Sequence, residues 1–225
     1  MDNDVLRQAP LFSALDDEAA TALRNSMSES KLRRGDVLFS EGDSGDKLYI
    51  VLDGKVKLGR SATDGRENLL AIMGPGQMFG ELSLFDPGPR SATVTAVTDA
   101  TFASLSHEDL LRWLDGRPIV ARGLLSQLAA RLRKSNDVVA DLVFSDVPGR
   151  VAQALLDLAD RFGRTADDGV HVHHDLTQEE LAQLVGASRE TVNKALADFA
   201  SRGWVRLEPR SVVIMDVERL SRRAR

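Results

Sequence analysis

Residues 79–96 read FGELSLFDPGPRSATVTA. Glu81 stands there between Phe79-Gly80 and Leu82, Leu84 and Phe85, in a run that otherwise reads as buried, with no cation before Arg90. A carboxylate in such a run needs a partner, because an unpaired buried charge is costly. A second stretch, LTQEELAQLVGASRETVNKALADFASRGW at 176–204, carries a fuller constellation. Thr177 with Glu180 is a capping box that starts a helix, and Leu181, Leu184 and Val185 are its inward face. Gly186 permits a sharp turn, and Ser188 is placed to cap a second helix. In that helix Val192, Leu196 and Phe199 recur at i, i+4 and i+7, which leaves Glu190, Asn193, Lys194 and Ala197 outward and Arg189 at the shoulder. Arg fits guanine O6 and N7, Glu accepts from cytosine N4, and Lys194 reaches a base or a phosphate, the chemistry of a recognition helix at 188–201 in a major groove. The bland alternative is a helix pair with a solvated charged face, and the coincidence of cap, turn, apolar core and exposed Arg/Glu outweighs it. WVRLEPRSVVIMD then reads as two strands around a turn at Glu208-Pro209-Arg210, the wing of a winged helix, with Arg206 and Arg210 as phosphate contacts. Thr177, Ser188, Arg189, Glu190, Asn193, Lys194, Arg206 and Arg210 are thus the candidate DNA-facing residues.

Other chemistry is absent or weak. The chain has no cysteine, which removes disulfides, thiolate metal sites, iron–sulfur clusters and cysteine nucleophiles and fits a reducing compartment. His171, His173 and His174 cluster as HVHH, but i, i+2 and i+3 before a helix cap do not face one another as helical ligands do, and no metal is expected. A cupin-type enzyme needs inward histidines on its strands, whereas residues 31–106 contain none, and no enzymatic activity is expected.

The elements that must position these residues follow from texture. With 225 residues the chain suits two domains. Residues 1 to about 30 carry a short helical pattern (Leu11, Leu15, Leu23), and 31 to about 106 read as short strands with Asp53-Gly54 and Asp64-Gly65 turns, a β-barrel or jelly roll. From Pro118 to Phe144 nothing breaks a helix. Leu125, Leu128, Leu132, Ser135, Val139 and Leu142 step by 3, 4, 3, 4 and 3, a heptad seam flanked by Arg131, Arg133, Lys134 and Asp137. The helix packs on its own barrel or pairs with a second copy, and the strict period favours the dimer. Phe144, Asp146, Pro148 and Gly149 form a hinge, with Asp146 capping the next helix. The expected class is therefore α+β, with a barrel domain at 1–116, a long dimerisation helix at 117–145 and a winged helix–turn–helix at 146–225. The acidic start MDNDVLRQAP lacks a signal-peptide pattern and no apolar run approaches about 18 residues, so a soluble cytoplasmic protein without membrane contact is expected. Net charge is −5, yet 186–225 carries nine Lys/Arg against five Asp/Glu, a local +4 that suits a phosphate backbone. The terminal RLSRRAR reads as a solvated basic tail and GRTADDG, 163–169, as an exposed loop.

GDKLYIVLDGKVKLGR, FGELSLF, the later RSA, DVPGRVAQALL and LTQEELAQLVGASRETVNKAL resemble, in order and spacing along essentially the whole chain, the CRP/FNR superfamily of cyclic-AMP receptor proteins. DGRENLLAIMGPGQMFGELS and ASRETVNKALADFASRGW are most similar to actinobacterial members. The resemblance implies that Gly80, Glu81 and Leu82 form a phosphate-binding cassette in which the glycine admits the ligand and the glutamate accepts from the ribose 2′-OH. It implies that Arg90 and Ser91 hold the cyclic phosphate and that Ser135, with Asn136 from a partner subunit, reaches the adenine. Ser135 is also the one polar member of the seam, a register device or a ligand contact, and Asn136 beside it favours contact. Two departures stand out: Glu81 to Arg90 is a residue shorter than in the best-known enteric member, with Pro87 and Pro89 inside, and Ser135-Asn136 replaces a Thr-Ser pair. Implied partners are cyclic AMP, double-stranded DNA, a second subunit and RNA polymerase, and the implied function is an activator or repressor reading a pseudo-palindrome with two helices about 34 Å apart. Relatives that bind DNA without a nucleotide are the alternative, opposed here by the joint presence of Gly80, Glu81, Arg90 and Ser91.

Overall fold

The Val-, Leu- and Ile-rich runs predicted as strands pair into two four-stranded sheets. The computed structural model describes residues 3–9, 11–12, 15–62, 65, 67–86, 88–115 and 117–224, so Asp64 and Pro87 lie outside the described residues. Strands β1 (Ser28–Leu32), β2 (Val37–Phe39), β3 (Lys47–Asp53), β4 (Val56–Ser61), β5 (Glu67–Met73), β6 (Met78–Phe79), β7 (Thr93–Ala96) and β8 (Ala100–Ser106) follow in chain order. They form sheets of order β1-β8-β3-β6 and β2-β7-β4-β5. Helices α1 (Asn3–Gln8) and α2 (Asp17–Asn25) precede them, α3 (Leu82–Phe85) interrupts them, and α4 (His107–Leu114) and α5 (Pro118–Phe144) follow.

Strand period explains why β3 is buried on both faces. Leu48, Ile50 and Leu52 point to a core shared with Leu6, Leu11, Leu23, Leu110, Val120 and Leu124 of the helical segments. Val51 and the half-buried Tyr49 point the other way, between the sheets, with Val56, Phe79, Val94 and Phe102. Phe79 stacks on Tyr49 at 5.5 Å and meets Phe102 edge-on at 6.1 Å. The predicted Pro118–Phe144 helix is present over its full 27 residues, about 40 Å.

Chain contacts divide the molecule into Met1–Arg60 with Leu70–Lys134, and Ser135–Arg225 with Ser61–Leu69. In the second unit α6 (Val147–Phe162) is followed by β9 (Gly163–Ala166), β10 (Gly169–His173), α7 (Gln178–Val185), α8 (Arg189–Ser201), β11 (Val205–Glu208), β12 (Ser211–Ile214) and α9 (Val217–Arg223). The predicted two-stranded wing is half of a four-stranded sheet, β11-β12-β10-β9. GRTADDG is accordingly not a loop. Gly163–Ala166 pairs with Gly169–Val172, leaving Asp167-Asp168 as the turn, and the register completes a sheet whose other strands are the wing.

Gly54 lies in the predicted hairpin turn at φ +80°, and a Cβ there would stand 2.1 Å from the Asp99 carbonyl oxygen. Gly54→Ala meets both strain and backbone overlap, so it is expected to cost about 2 kcal/mol or more, read as a lower urea midpoint at unchanged m-value.

Candidate functional site

At the end of β6 the chain turns through Gly80, φ +82°, into Glu81 and the single turn of α3. A Cβ at Gly80 would lie 2.9 Å from Arg90 Nη1 and 3.1 Å from the Lys47 carbonyl oxygen. The glycine therefore makes room for Arg90, which returns from the loop after α3. The Arg90 backbone is pinned by its amide to Asp43 O and by its carbonyl to Gly42 N, which aims its side chain inward. Arg90 is 4% exposed. Its Nη1 and Nη2 donate to Gly80 O and Lys47 O, both at 2.9 Å, and its Cζ lies 4.3 Å from the Phe39 ring centroid. Its Nε is buried without a hydrogen-bond partner. Burial lowers the Arg90 pKa below the usual guanidinium value, and Tyr49, Asp46, Asp43 and Glu81 oppose that shift.

Glu81 is 1% exposed, and its partner is not Arg90. Arg131 of α5 donates through Nη1 to Glu81 Oε1 at 2.5 Å, and through Nη2 to Met78 O. Glu81 Oε2 is buried with no partner. Sequence reasoning missed Arg131, leaving it as a solvated flank of the seam. The signal was a second stripe on the same helix: Val120 and Leu124 are buried, Gln127 is half-buried, and Arg131 ends the 4, 3, 4 spacing. Leu82 is exposed, as is Ser91. Ser135 and Asn136 lie further along α5, both exposed, in the second unit.

The seam residues Leu125, Leu132, Val139 and Leu142 are 65%, 64%, 61% and 52% exposed. The two readings of this helix thus divide between two stripes, one packed on the barrel and the other bare.

In the second unit the predicted capping box is present: Thr177 Oγ1 accepts from Glu180 N at 3.1 Å, and Glu180 Oε2 accepts from Thr177 N at 2.8 Å. Gly186 ends α7 in the left-handed region, and Ser188 caps α8 by accepting from Thr191 N. Val192, Leu196 and Phe199 are buried while Arg189, Glu190 and Lys194 are exposed. Asn193 departs from its expected outward placement. It is half-buried with Oδ1 unpartnered, because it lies about 100° around the helix from Val192 rather than opposite it.

Arg206 is exposed and donates to Asp168 Oδ2 at 2.8 Å and to Glu208 Oε1 at 3.2 Å. Asp168, bonded first by His171 and then by Arg206, has its pKa lowered to about 2. The carboxyl stays ionised through the neutral range and keeps that hold on Arg206. Arg210 sits at the wing turn with φ +56° and is exposed. His171 and His173 lie on β10, and no group of three or more metal-ligating side chains occurs among the described residues. The RLSRRAR segment is not a free tail: Arg219, Arg222 and Arg223 pair with Asp216, Glu218 and Asp146, while Arg225 lies outside the described residues.

At the hinge, Asp146 caps α6 by accepting from Gly149 N at 2.9 Å. Pro148 is half-buried, Gly149 buried and Phe144 85% exposed. No helix is long and apolar enough to cross a membrane among the described residues.

Comparison with known proteins matches residues 29–117 to the cyclic nucleotide-binding domain and 149–223 to the Crp-like helix-turn-helix domain. The chain is 55% identical, over 99% of its length and 100% of the relative's, to a CRP-like cAMP-activated global transcriptional regulator of Mycobacterium tuberculosis. It is 37% identical to the cyclic AMP receptor protein of Thermus thermophilus over 94% of each chain. The crystal structure of the Thermus thermophilus catabolite activator protein aligns with a TM-score of 0.56 at 38% identity, covering 96% of this chain and 98% of that one.

Without ligand, Arg131→Met leaves Glu81 buried and unpaired, so a loss of about 3 kcal/mol is expected in urea unfolding. Adding Glu81→Gln to that variant is expected to recover most of it, since the group left behind is then neutral.

Proposed function

The chain belongs to the CRP/FNR superfamily of transcription regulators rather than to any enzyme family, and from that premise we propose a cyclic-AMP-responsive, homodimeric regulator that reads DNA with α8. The observation that carries the ligand is the state of the cassette. A buried guanidinium with an unpartnered Nε stands beside a buried carboxylate with an unpartnered Oε2. A 3′,5′-cyclic nucleotide supplies what each lacks, an anionic phosphate for Arg90 and a ribose hydroxyl for Glu81. Gly80 keeps the cassette backbone open, Leu82 sets the start of α3, and the Ser91 hydroxyl adds a phosphate donor. Arg131 holds the other Glu81 oxygen and so fixes the carboxylate for the sugar. Ser135 and the partner subunit's Asn136 are assigned to adenine.

The bare Leu125–Leu142 stripe on α5 supports the dimer, because four large apolar side chains more than half exposed on one helix face need a cover. We assign Arg189 and Glu190 to base edges, Thr177, Ser188, Lys194 and Arg210 to the DNA surface, and Asn193 and Arg206 to supporting roles. RNA polymerase is the proposed further partner, the cytoplasm the proposed site of action, and 1–116, 117–145 and 146–225 the proposed domains. Ligand acts only through its differential affinity for the two hinge states, and typical couplings of about 1–3 kcal/mol change DNA affinity roughly 5- to 150-fold.

Calorimetry is expected to show cyclic AMP binding at micromolar concentration, and Arg90→Leu to abolish it. Absent heat, or an Arg90→Leu protein that binds normally, overturns the ligand. Selection from a palindrome library with and without cyclic AMP reads DNA site and coupling together. Arg189→Ala is expected to cost about 1–3 kcal/mol at a single guanine of each half-site, whereas equal weakening on unrelated sequences would mark a phosphate contact.

A further inference from the structure

We propose that the C-terminal helix α9 is a brace for the hinge: Arg223 clamps the Asp146 carboxylate, so the DNA-binding body begins at Asp146 and the pivot is confined to Phe144 and Ser145. This rests on the reading of the protein as a ligand-controlled DNA binder, and assigns Arg223 as a positioning residue within it.

Arg223 Nη2 donates to both oxygens of Asp146, at 2.7 and 2.6 Å. The same carboxylate caps α6 through Gly149 N. Cap and clamp share one group, and the Arg223 bond, ahead of the Gly149 amide, holds the Asp146 carboxyl below its usual pKa. Gly149 makes the approach possible. A Cβ there would stand 3.1 Å from Asp146 Oδ1 and 3.4 Å from both Nη1 and the carbonyl oxygen of Arg223. This hinge glycine lets α9 close on the first turn of α6. Leu220, 0% exposed, anchors α9 one turn before the clamp, and Asp216 caps its start by accepting from Arg219 N.

Arg150 ties the same turn of α6 in a second direction. Its Nη1 donates to Ser145 O at 2.8 Å, and its Nε and Nη2 donate to Val185 O and Gly186 O, at the turn between α7 and α8, at 3.2 and 3.4 Å. From the other side, Ser145 N donates to Asp141 O at 2.9 Å and so continues the α5 ladder. The amide of Ser145 thus belongs to the long helix and its carbonyl to the DNA-binding body. A joint this short passes a rotation of α5 whole to α8, whereas a frayed α6 start absorbs part of it.

The test uses full-length Arg223→Gln and Asp146→Asn. Asn keeps the helix cap while removing the charge, which separates clamp from cap. Amide exchange across 147–150, measured without ligand, is expected to quicken in both variants. The gain in DNA affinity on adding cyclic AMP is expected to shrink roughly two- to fivefold, the scale of one exposed ion pair. The double variant is expected to be no worse than either single, because both remove one interaction. Unchanged exchange, an unchanged gain with only a lower melting temperature, equal weakening of DNA binding with and without cyclic AMP, or additive single effects each overturn the brace. Should the unaltered protein show no response to cyclic AMP, the proposed ligand falls while the exchange measurement still decides the brace.

Discussion

Two opposite charges, Glu81 and Arg90, are buried in one cassette without an ion pair between them, and much of the rest of the barrel answers that arrangement. Burying a charge without compensation is costly, and the usual remedy of pairing neighbours is not used. Arg90 is instead satisfied halfway by the carbonyls of Gly80 and Lys47 and by the face of Phe39. Glu81 is satisfied halfway by Arg131. Each retains one buried polar atom without a partner. Such atoms are rare in folded proteins because the interior makes them expensive. The proposed cyclic nucleotide would complete both, and the aromatic cluster of Phe39, Tyr49, Phe79 and Phe102 supplies a low-dielectric wall beside them.

The cassette also explains why α5 must be long and bear two stripes. Arg131 can reach Glu81 only if Val120 and Leu124 hold the helix against the barrel core. That fixes the rotation about its axis of the part of the helix that belongs to the first unit. The first half of the seam, Leu125, Leu128 and Leu132, is then offset from the buried stripe around a helix of 3.6 residues per turn. The proposed ligand contact and the proposed subunit contact are neighbouring faces of one element.

Much of this was legible in the sequence where a local rule decides the outcome. The α7 capping box, the Gly186 turn, the Ser188 cap and the Pro118–Phe144 helix depend on residues a few positions apart, and they stand where spacing put them. The cassette glycine and its two charges were visible as an anomaly, and the family resemblance gave them roles. What escaped was non-local. Glu81 and Arg131 are 50 positions apart, Arg206 and Asp168 38, and Arg223 and Asp146 77. An arginine in a sequence advertises charge, not its partner, so Arg131 read as a solvated flank, Arg206 as a phosphate contact and Arg223 as a tail. Asn193 was misplaced for a different reason: a wheel sorts inside from outside well but treats the flank of a helix as a face.

Those arginine assignments bear on how the DNA-binding unit uses its charge. The basic excess at 186–225 suggests a broadly attractive surface, yet Arg202, Arg206, Arg219, Arg222 and Arg223 each pair with a carboxylate within the unit. Exposed pairs of this kind add little stability, but they cancel charge where a duplex would otherwise be held without regard to sequence. Arg189 and Lys194 on α8 have no such partner among the described residues. The cations left uncompensated there lie on the recognition helix and, at Arg210, in the wing turn, so attraction to phosphate is concentrated on the elements proposed to meet DNA. A regulator whose loose affinity is muted in this way depends more on the placement of α8, and placement is what the proposed hinge at Ser145 would change.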